Sequence, residues 1–272
     1  MRYMVLCDYM VSFVFSIDYE LGLGAAGAST SRNAAEDLKL EKKMLPKILQ
    51  LSSTYKIPLT FALPCHLLLE KCNGHKKLET AFGKQFKPIF DVDPKSNYDK
   101  NKEWYAPKLA EDLISKNHEI AAHSFMHVSY QKLSKEAAKL DLEACLKVSK
   151  KYNIKSFIFP RNEIKYLSFL KNYGFTHFSS APGLRLPRLA KPKYENRLMD
   201  VQRTYFFNSV NQKETTKISA ILNLARLKRR TIHFWTHLWN FKTKSHFDLL
   251  EKTFKKVNSL KFEKRTIDEI TF

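Results

Sequence analysis

The segment Val11-Ser-Phe-Val-Phe-Ser-Ile-Asp18-Tyr-Glu20 reads as a strand that runs into two acids. Val11 to Ile17 is apolar, aromatic or β-branched apart from its serines, the composition expected of a strand. Outward from it, similar runs alternate with helical patterns. Ala34 to Tyr55 predicts a helix, with Leu38, Leu45, Ile48, Leu49 and Leu51 on a rough stripe. Pro58 to Leu63 predicts a second strand, Pro64 to Cys72 a short helix, and residues 73–103 a long polar loop beside the functional site. Trp104 to Lys116 predicts a helix, His118 to Ala122 a strand, and Ser134 the cap of a helix reaching about Lys151. Ser156 to Phe159 predicts a strand, and Asn162 to Tyr173 a helix stopped by Gly174. Residues 181–197 predict a loop, Thr231 to Trp235 a late strand, and Lys244 to Leu260 a final helix. This alternation predicts an α/β architecture with a largely parallel sheet. With no internal repeat and no low-complexity linker, one domain is expected over residues 1–272.

Composition excludes some classes and leaves others open. A chain that is 44% hydrophobic and 27% charged can bury a core and is not a disordered protein. Lys and Arg number 47 against 27 Asp and Glu, a net charge of +20, which favours an anionic polymer or surface as partner. The plain alternative is a Lys-rich solvated surface; nucleic acid is not the favoured reading. Cys7, Cys65, Cys72 and Cys145 show no C-x-x-C spacing, so a reducing compartment is expected. No apolar stretch is long enough to span a bilayer. The basic-then-apolar start is interrupted by Asp8 with no small-residue cleavage site behind it, so it predicts a strand and not a signal peptide. A cytoplasmic location follows, with the inner membrane face as its variant.

The strand ends carry the chemistry. The first run ends in Asp18 and Glu20, His118–Ala122 in His123, Ser156–Phe159 in Pro160 and Arg161, and Thr231–Trp235 near His237. In α/β barrels and open parallel sheets, sites collect at the carboxyl ends of strands, so these residues predict one site. His123 and His127 have the i, i+4 spacing, which on a helical turn puts Cβ atoms about 6 Å apart. His233 and His237 share the spacing, but on a strand they stand about 13 Å apart and cannot share an ion. Asp18 or Glu20 can complete a two-His, one-carboxylate metal site while the other acid takes a proton from water. A rival signal follows them: Gly22-Leu-Gly24-Ala-Ala-Gly27 fits G-x-G-x-x-G after a strand, as in dinucleotide-binding oxidoreductases. The second strand, however, ends in Pro64, Cys65 and His66 where that motif needs an acid, and two acids would face the pyrophosphate.

FSIDYELGLG, HEIAAHSFMH, SFIFPRN and HFWTHLWNF, in this order, resemble the ordered motifs of the polysaccharide deacetylases, carbohydrate esterase family four. IPLTFALPCHLLLEKC and WYAPKLAEDLISKNHEI are similar to a subgroup of that family, and the resemblance spans residues 11–245. It implies a distorted (β/α) barrel with fewer than eight strands. It also implies Glu20, His123 and His127 as ligands of one divalent ion, commonly zinc. Asp18 would be the general base, Arg161 would steady Asp18, and His237 would be the general acid. Three departures stand out: D-x-E replaces adjacent aspartates, the arginine follows its proline, and Leu238 follows the late histidine. The implied activity is hydrolysis of an N-acetyl, or alternatively O-acetyl, group on a glycan or sugar conjugate. Trp104, Tyr105, Trp235 and Trp239 are the residues that could stack on sugar rings. The alternatives are hydrolysis of a non-sugar C–N bond and a non-catalytic glycan-binding protein on the same scaffold.

Overall fold

The computed structural model describes residues 11–26, 34–181, 189, 191–208 and 210–271. Cys7, Asp8, Gly27 and residues 182–188 and 190 of the 181–197 segment therefore lie outside the described residues. The strands are β1 (Ser12–Asp18), β2 (Thr60–Leu63), β3 (Glu119–Ala122), β4 (Ser156–Ile158), β5 (His177–Ser179), β6 (Lys193–Glu195), β7 (Leu198–Asp200), β8 (Tyr205–Phe206), β9 (Ile232–His237) and β10 (Glu263–Lys264). The helices are α1 (Leu21–Ala26), α2 (Ala34–Tyr55), α3 (Lys76–Phe82), α4 (Lys87–Asp91), α5 (Pro107–Ser115), α6 (Lys135–Tyr152), α7 (Gln212–Leu227) and α8 (Lys244–Ser259).

The sheet order is β6-β7-β5-β4-β3-β2-β1-β9-β8, parallel except where β6 meets β7. β7 and β8 are two ends of one extended segment. Val201 N donates to Phe178 O at 2.9 Å and Arg203 N to Ser180 O at 2.7 Å, both on the β5 side. Thr204 N then donates to His233 O at 2.7 Å and Phe207 N to Trp235 O at 2.8 Å, on the β9 side. Residues 198–207 thus bridge the two ends of the sheet and curl it into a barrel; with β7 and β8 counted as one stave and the edge strands β6 and β10 set aside, seven staves line it. A closed sheet has no unpaired edge at this seam, and its strand ends face one another across a common mouth.

Strand alternation sorts the side chains into two layers. Phe13, Phe15, Ile17, Phe61, Leu63, Phe157, Phe178 and Phe234 point outward into a large apolar layer beneath the helices. Val14, Ala62, Ala121, Ile158, Met199 and Val201 point into the barrel, where Ile267 and Ile270 of the C-terminal segment join them. His177 Nε2 lies 2.9 Å from Ile270 O, and Glu119 Oε2 accepts from Ile267 N at 2.8 Å, so the segment after β10 plugs the bottom of the barrel. The mouth is left for polar residues.

Local chemistry sets several boundaries. The Ser134 hydroxyl accepts from Ala137 N at 3.1 Å at the start of α6, and Asn153 ends that helix in the left-handed region. Helix α2 runs from Ala34 to Tyr55 as expected. Residues 73–103 are not a plain loop. They carry α3 and α4, with α3 packed against α6; apolar Leu78, Phe82, Ile89 and Phe90 are buried there, which a polar reading of the stretch overlooked. Cys65, Cys72 and Cys145 are free and buried. Among the described residues, no helix is long and apolar enough to cross a membrane.

Candidate metal centre

β1 ends at the mouth with Asp18 buried, and in register Asp18 stands opposite His237 at the end of β9. Two residues on, Glu20 turns its carboxylate into the same space, at the entry to α1. Its room depends on Gly24: a Cβ there would meet Glu20 Oε2 and come within 2.7 Å of Glu20 Cβ. Gly24, which mimics part of a nucleotide loop, therefore serves a carboxylate. A ring lies over the other glycine, since a Cβ on Gly22 would come within 3.0 Å of Trp104.

The two histidines after β3 do not sit on a helical turn. Residues 123–129 are irregular, and Ser124 and His127 both have φ of 56°, left-handed values that cost of order 1 kcal/mol or more each in non-glycine residues. The loop is held from outside. Cys65 N donates to Ser124 O at 2.8 Å, His66 N to Phe125 O at 3.0 Å, and Phe125 N to Asp141 Oδ1 at 3.0 Å. The result brings the His123 and His127 rings to a centroid separation of 5.0 Å.

Glu20 Oε1 is the centre of the cluster. His127 Nε2 lies 3.0 Å from it, His123 Nε2 3.6 Å and His237 Nε2 3.6 Å. Burial would raise the Glu20 carboxyl, but the charge of His127 and the close imidazoles of His123 and His237 hold it well below the ordinary range. Asp18 has different partners: Arg203 Nη2 at 2.6 Å on Oδ1, and His237 Nε2 at 3.8 Å from Oδ2. Glu20 with His123 and His127, and Glu20 with Asp18 and His237, each bring their donor atoms within 4.8 Å of one another.

The first of these sets suits a divalent cation better. His123 Nδ1 sits 2.7 Å from Ile158 O, which fixes that nitrogen as the N–H donor and turns the lone pair of Nε2 toward Glu20. Among the described residues, buried His123 Nε2 has no hydrogen-bond partner, a costly arrangement unless a cation takes the lone pair. Two imidazoles and one carboxylate are also an open three-ligand set.

Arg203 went unnamed in the sequence reading, which gave Arg161 the task of steadying Asp18. Arg161 is exposed, on the turn Pro160–Asn162 after β4, with φ of 58°. The neighbouring Asn162 has a buried task instead: its Oδ1 accepts from Arg203 Nη1 at 2.7 Å. Arg203 is further held by the Trp235 ring, 4.0 Å from the guanidinium carbon. No local signal marks residue 203; its role depends on the closing strand.

His233 is a core residue, 2.7 Å from Ser16 Oγ and 3.0 Å from Val201 O. Burial and then the nearby Arg203 charge lower it to about 3, so it is neutral inside the barrel. Among the aromatic candidates, Trp239 stacks on His237 at 4.0 Å between centroids, and Trp104 is half-buried beside α1. Trp235 stacks on Phe206 at 4.2 Å. Tyr105 is not a stacking surface: it is fully buried, its hydroxyl donating to Asp93 Oδ1 at 3.2 Å.

No protein-family model and no curated protein sequence matches the chain. Solved structures do. A chain described as a polysaccharide deacetylase from Mycobacterium smegmatis superposes with a TM-score of 0.63 at 11% identity, over 94% of this chain and 87% of that one. The allantoinase PuuE gives 0.62 at 10% identity, over 96% and 87%. A second chain described as a polysaccharide deacetylase, from Pseudomonas aeruginosa, gives 0.58 at 11%, over 94% and 87%. At such identities the likeness is one of fold: the chain has the deacetylase barrel.

Proposed function

We propose that this chain is a metal-dependent hydrolase that removes an N-acetyl group, or alternatively an O-acetyl group, from a glycan or sugar conjugate. The observation that carries the reading is the barrel mouth itself. Glu20 is shared by three imidazoles, while Asp18 is pinned beside it by Arg203 and faces His237. Glu20, His123 and His127 would hold one divalent ion, zinc by the chemistry of the set. Such an ion supplies Lewis-acid polarisation of an acyl carbonyl and makes nearby water more acidic.

The rest of the chemistry belongs to the chain. Arg203 occupies Asp18 Oδ1, so Oδ2 is the oxygen left to take a proton from the attacking water. An amine leaves an acyl carbon only with a proton on nitrogen, and His237, whose Nε2 lies 3.8 Å from Asp18 Oδ2, would give it. Stacking on Trp239 limits the rotation of the His237 ring. Trp104 and Trp239 flank the mouth as surfaces for a sugar ring. A cytoplasmic location, and attraction of an anionic polymer or surface by the +20 charge, belong to the same proposal.

A second reading, hydrolysis of a non-sugar C–N bond, is favoured by one observation: the fold likeness to the allantoinase is as close as that to the deacetylase. Acetate release over a panel of N-acetylated sugars and polymers, beside a panel of non-sugar amides, each with and without chelator, separates the two. Asp18→Asn should keep the metal and lose at least ~10²-fold in rate, the usual scale for a general base. Glu20→Gln should lose the metal. The opposite pattern means the two acids have exchanged roles, and wild-type activity in both variants means the site lies elsewhere.

A further inference from the structure

A second group of metal-ligating side chains lies behind the His123–His127 loop and takes no part in the chemistry above. His66 follows β2, Cys72 and His75 precede α3, and Asp93 follows α4. One donor atom from each lies within 4.8 Å of every other. Three of the separations are 3.0 Å (Cys72 Sγ to His75 Nε2), 3.3 Å (His66 Nε2 to Asp93 Oδ2) and 3.4 Å (Cys72 Sγ to Asp93 Oδ2). Bond lengths of ~2.0–2.3 Å to a tetrahedral zinc ion place neighbouring donors roughly 3.3–3.7 Å apart. These four residues therefore already stand close to the edges of such a tetrahedron.

The interior here is short of a positive charge. The His66 and Asp93 side chains are 0% and 1% exposed, and among the described residues both ring nitrogens of His66 lack a hydrogen-bond partner. A buried carboxylate and an unpartnered imidazole are costly as they stand. A divalent cation bound by one thiolate, one carboxylate and two neutral imidazoles is neutral overall. The surroundings also orient the donors. Asp93 Oδ1 accepts from Tyr105 Oη at 3.2 Å and Lys95 N at 3.1 Å, leaving Oδ2 for the centre, and Gly74 N donates to Cys72 Sγ at 3.1 Å. Tyr105 in turn accepts from Ser96 N at 3.0 Å. Outer hydrogen bonds of this kind accompany protein-bound metals.

We propose that His66, Cys72, His75 and Asp93 form a second divalent-cation site, a closed four-ligand site for zinc. Four protein ligands leave no position for a reactant, so the role is structural. The ion ties the excursion carrying α3 and α4 back to the end of β2. It also braces the candidate metal centre: the Phe125 ring, in the loop between His123 and His127, packs against His66 at 5.7 Å and His75 at 4.9 Å between centroids.

The test is metal counting with a spectroscopic label. Protein purified without a His tag and analysed by mass spectrometry for zinc should hold two equivalents per chain, falling to one in Cys72→Ala and to one in His127→Ala. Replacing zinc with Co²⁺ should give a near-ultraviolet thiolate-to-cobalt charge-transfer band, because only the second site supplies a sulfur ligand. The band should persist in His127→Ala and vanish in Cys72→Ala. Should Cys72→Ala fail to fold, the band is read in Cys7→Ser, where it must survive, since Cys65 and Cys145 are sealed in the core. Cobalt-loaded wild type without the band, or Cys72→Ala with undiminished zinc, overturns the proposal.

Discussion

Replacing Arg203 by methionine tests the barrel mouth where the structure departs from the sequence reading. The side chains of Arg203 and Asp18 are 1% and 4% exposed and meet at 2.6 Å. Removing one partner of such a pair leaves an uncompensated buried charge, at a cost of ~3–5 kcal/mol. That is a large share of the ~5–15 kcal/mol that holds a typical domain folded. Arg161 is exposed, so Arg161→Met should cost less stability than Arg203→Met. The assay is urea unfolding at neutral pH in the presence of chelator, which removes any contribution from bound metal. Adding Asp18→Asn to Arg203→Met should recover part of the loss, because the orphaned charge goes with it; a coupling of ~1–3 kcal/mol is expected for groups in contact. Arg203→Lys should rescue only in part, since a single ammonium cannot serve both Asp18 Oδ1 and Asn162 Oδ1 in the way the guanidinium fork does. Acetate release should fall at least ~10²-fold in Arg203→Met, because Asp18 loses the contact that aims it. If Arg203→Met costs under ~1 kcal/mol while Arg161→Met costs more, Asp18 is held by another group and the reasoning is wrong.

Three further outcomes are expected. Gly24→Ala should lower bound metal and activity together, because the new methyl takes the space of the Glu20 carboxylate; unchanged metal content would mean Glu20 is not a ligand. His237→Ala should slow amide hydrolysis much more than hydrolysis of an activated ester, whose leaving group needs no proton, and equal losses on both would remove His237 as the acid. Glu119 concerns stability. Burial, and then Asp268, raise its carboxyl from 4.5 to about 7, so between those values the folded chain keeps a proton that the unfolded chain releases. Stability is therefore lost as pH rises through that window, by at most ~3 kcal/mol at ~1.36 kcal/mol per pH unit. Glu119→Gln should remove that loss, and a wild-type-minus-variant difference that does not change from pH 4.5 to 8 would contradict it.

Much of this was legible in local pattern. The run from Val11 to Ile17 declared a strand, and its stop at Asp18 and Glu20 placed two acids at a strand end. Helices α2 and α6 followed from stripe and cap, and the strand geometry of β9 separated His233 from His237 as expected. Glu20, His123, His127, Asp18 and His237 do converge at one mouth. What local pattern could not show is closure. Residues 198–207 are short of any strong alternation, and they become strand only because the β5 and β9 edges both need partners there. Arg203 consequently meets Asp18 across 185 residues of sequence, where Arg161, inside the recognisable motif, had been expected. The left-handed turns at Ser124 and His127 were equally hidden, since hydrogen bonds with Cys65, His66 and Asp141 impose them from outside the loop. So was the cluster of His66, Cys72, His75 and Asp93, whose members have no telling spacing. Sequence by itself determined which faces are apolar and which strand ends carry chemistry, because both follow from residues a few positions apart. Tertiary structure alone decided which charges meet, because a buried ion is paid for by whatever partner the closing of the barrel brings within reach.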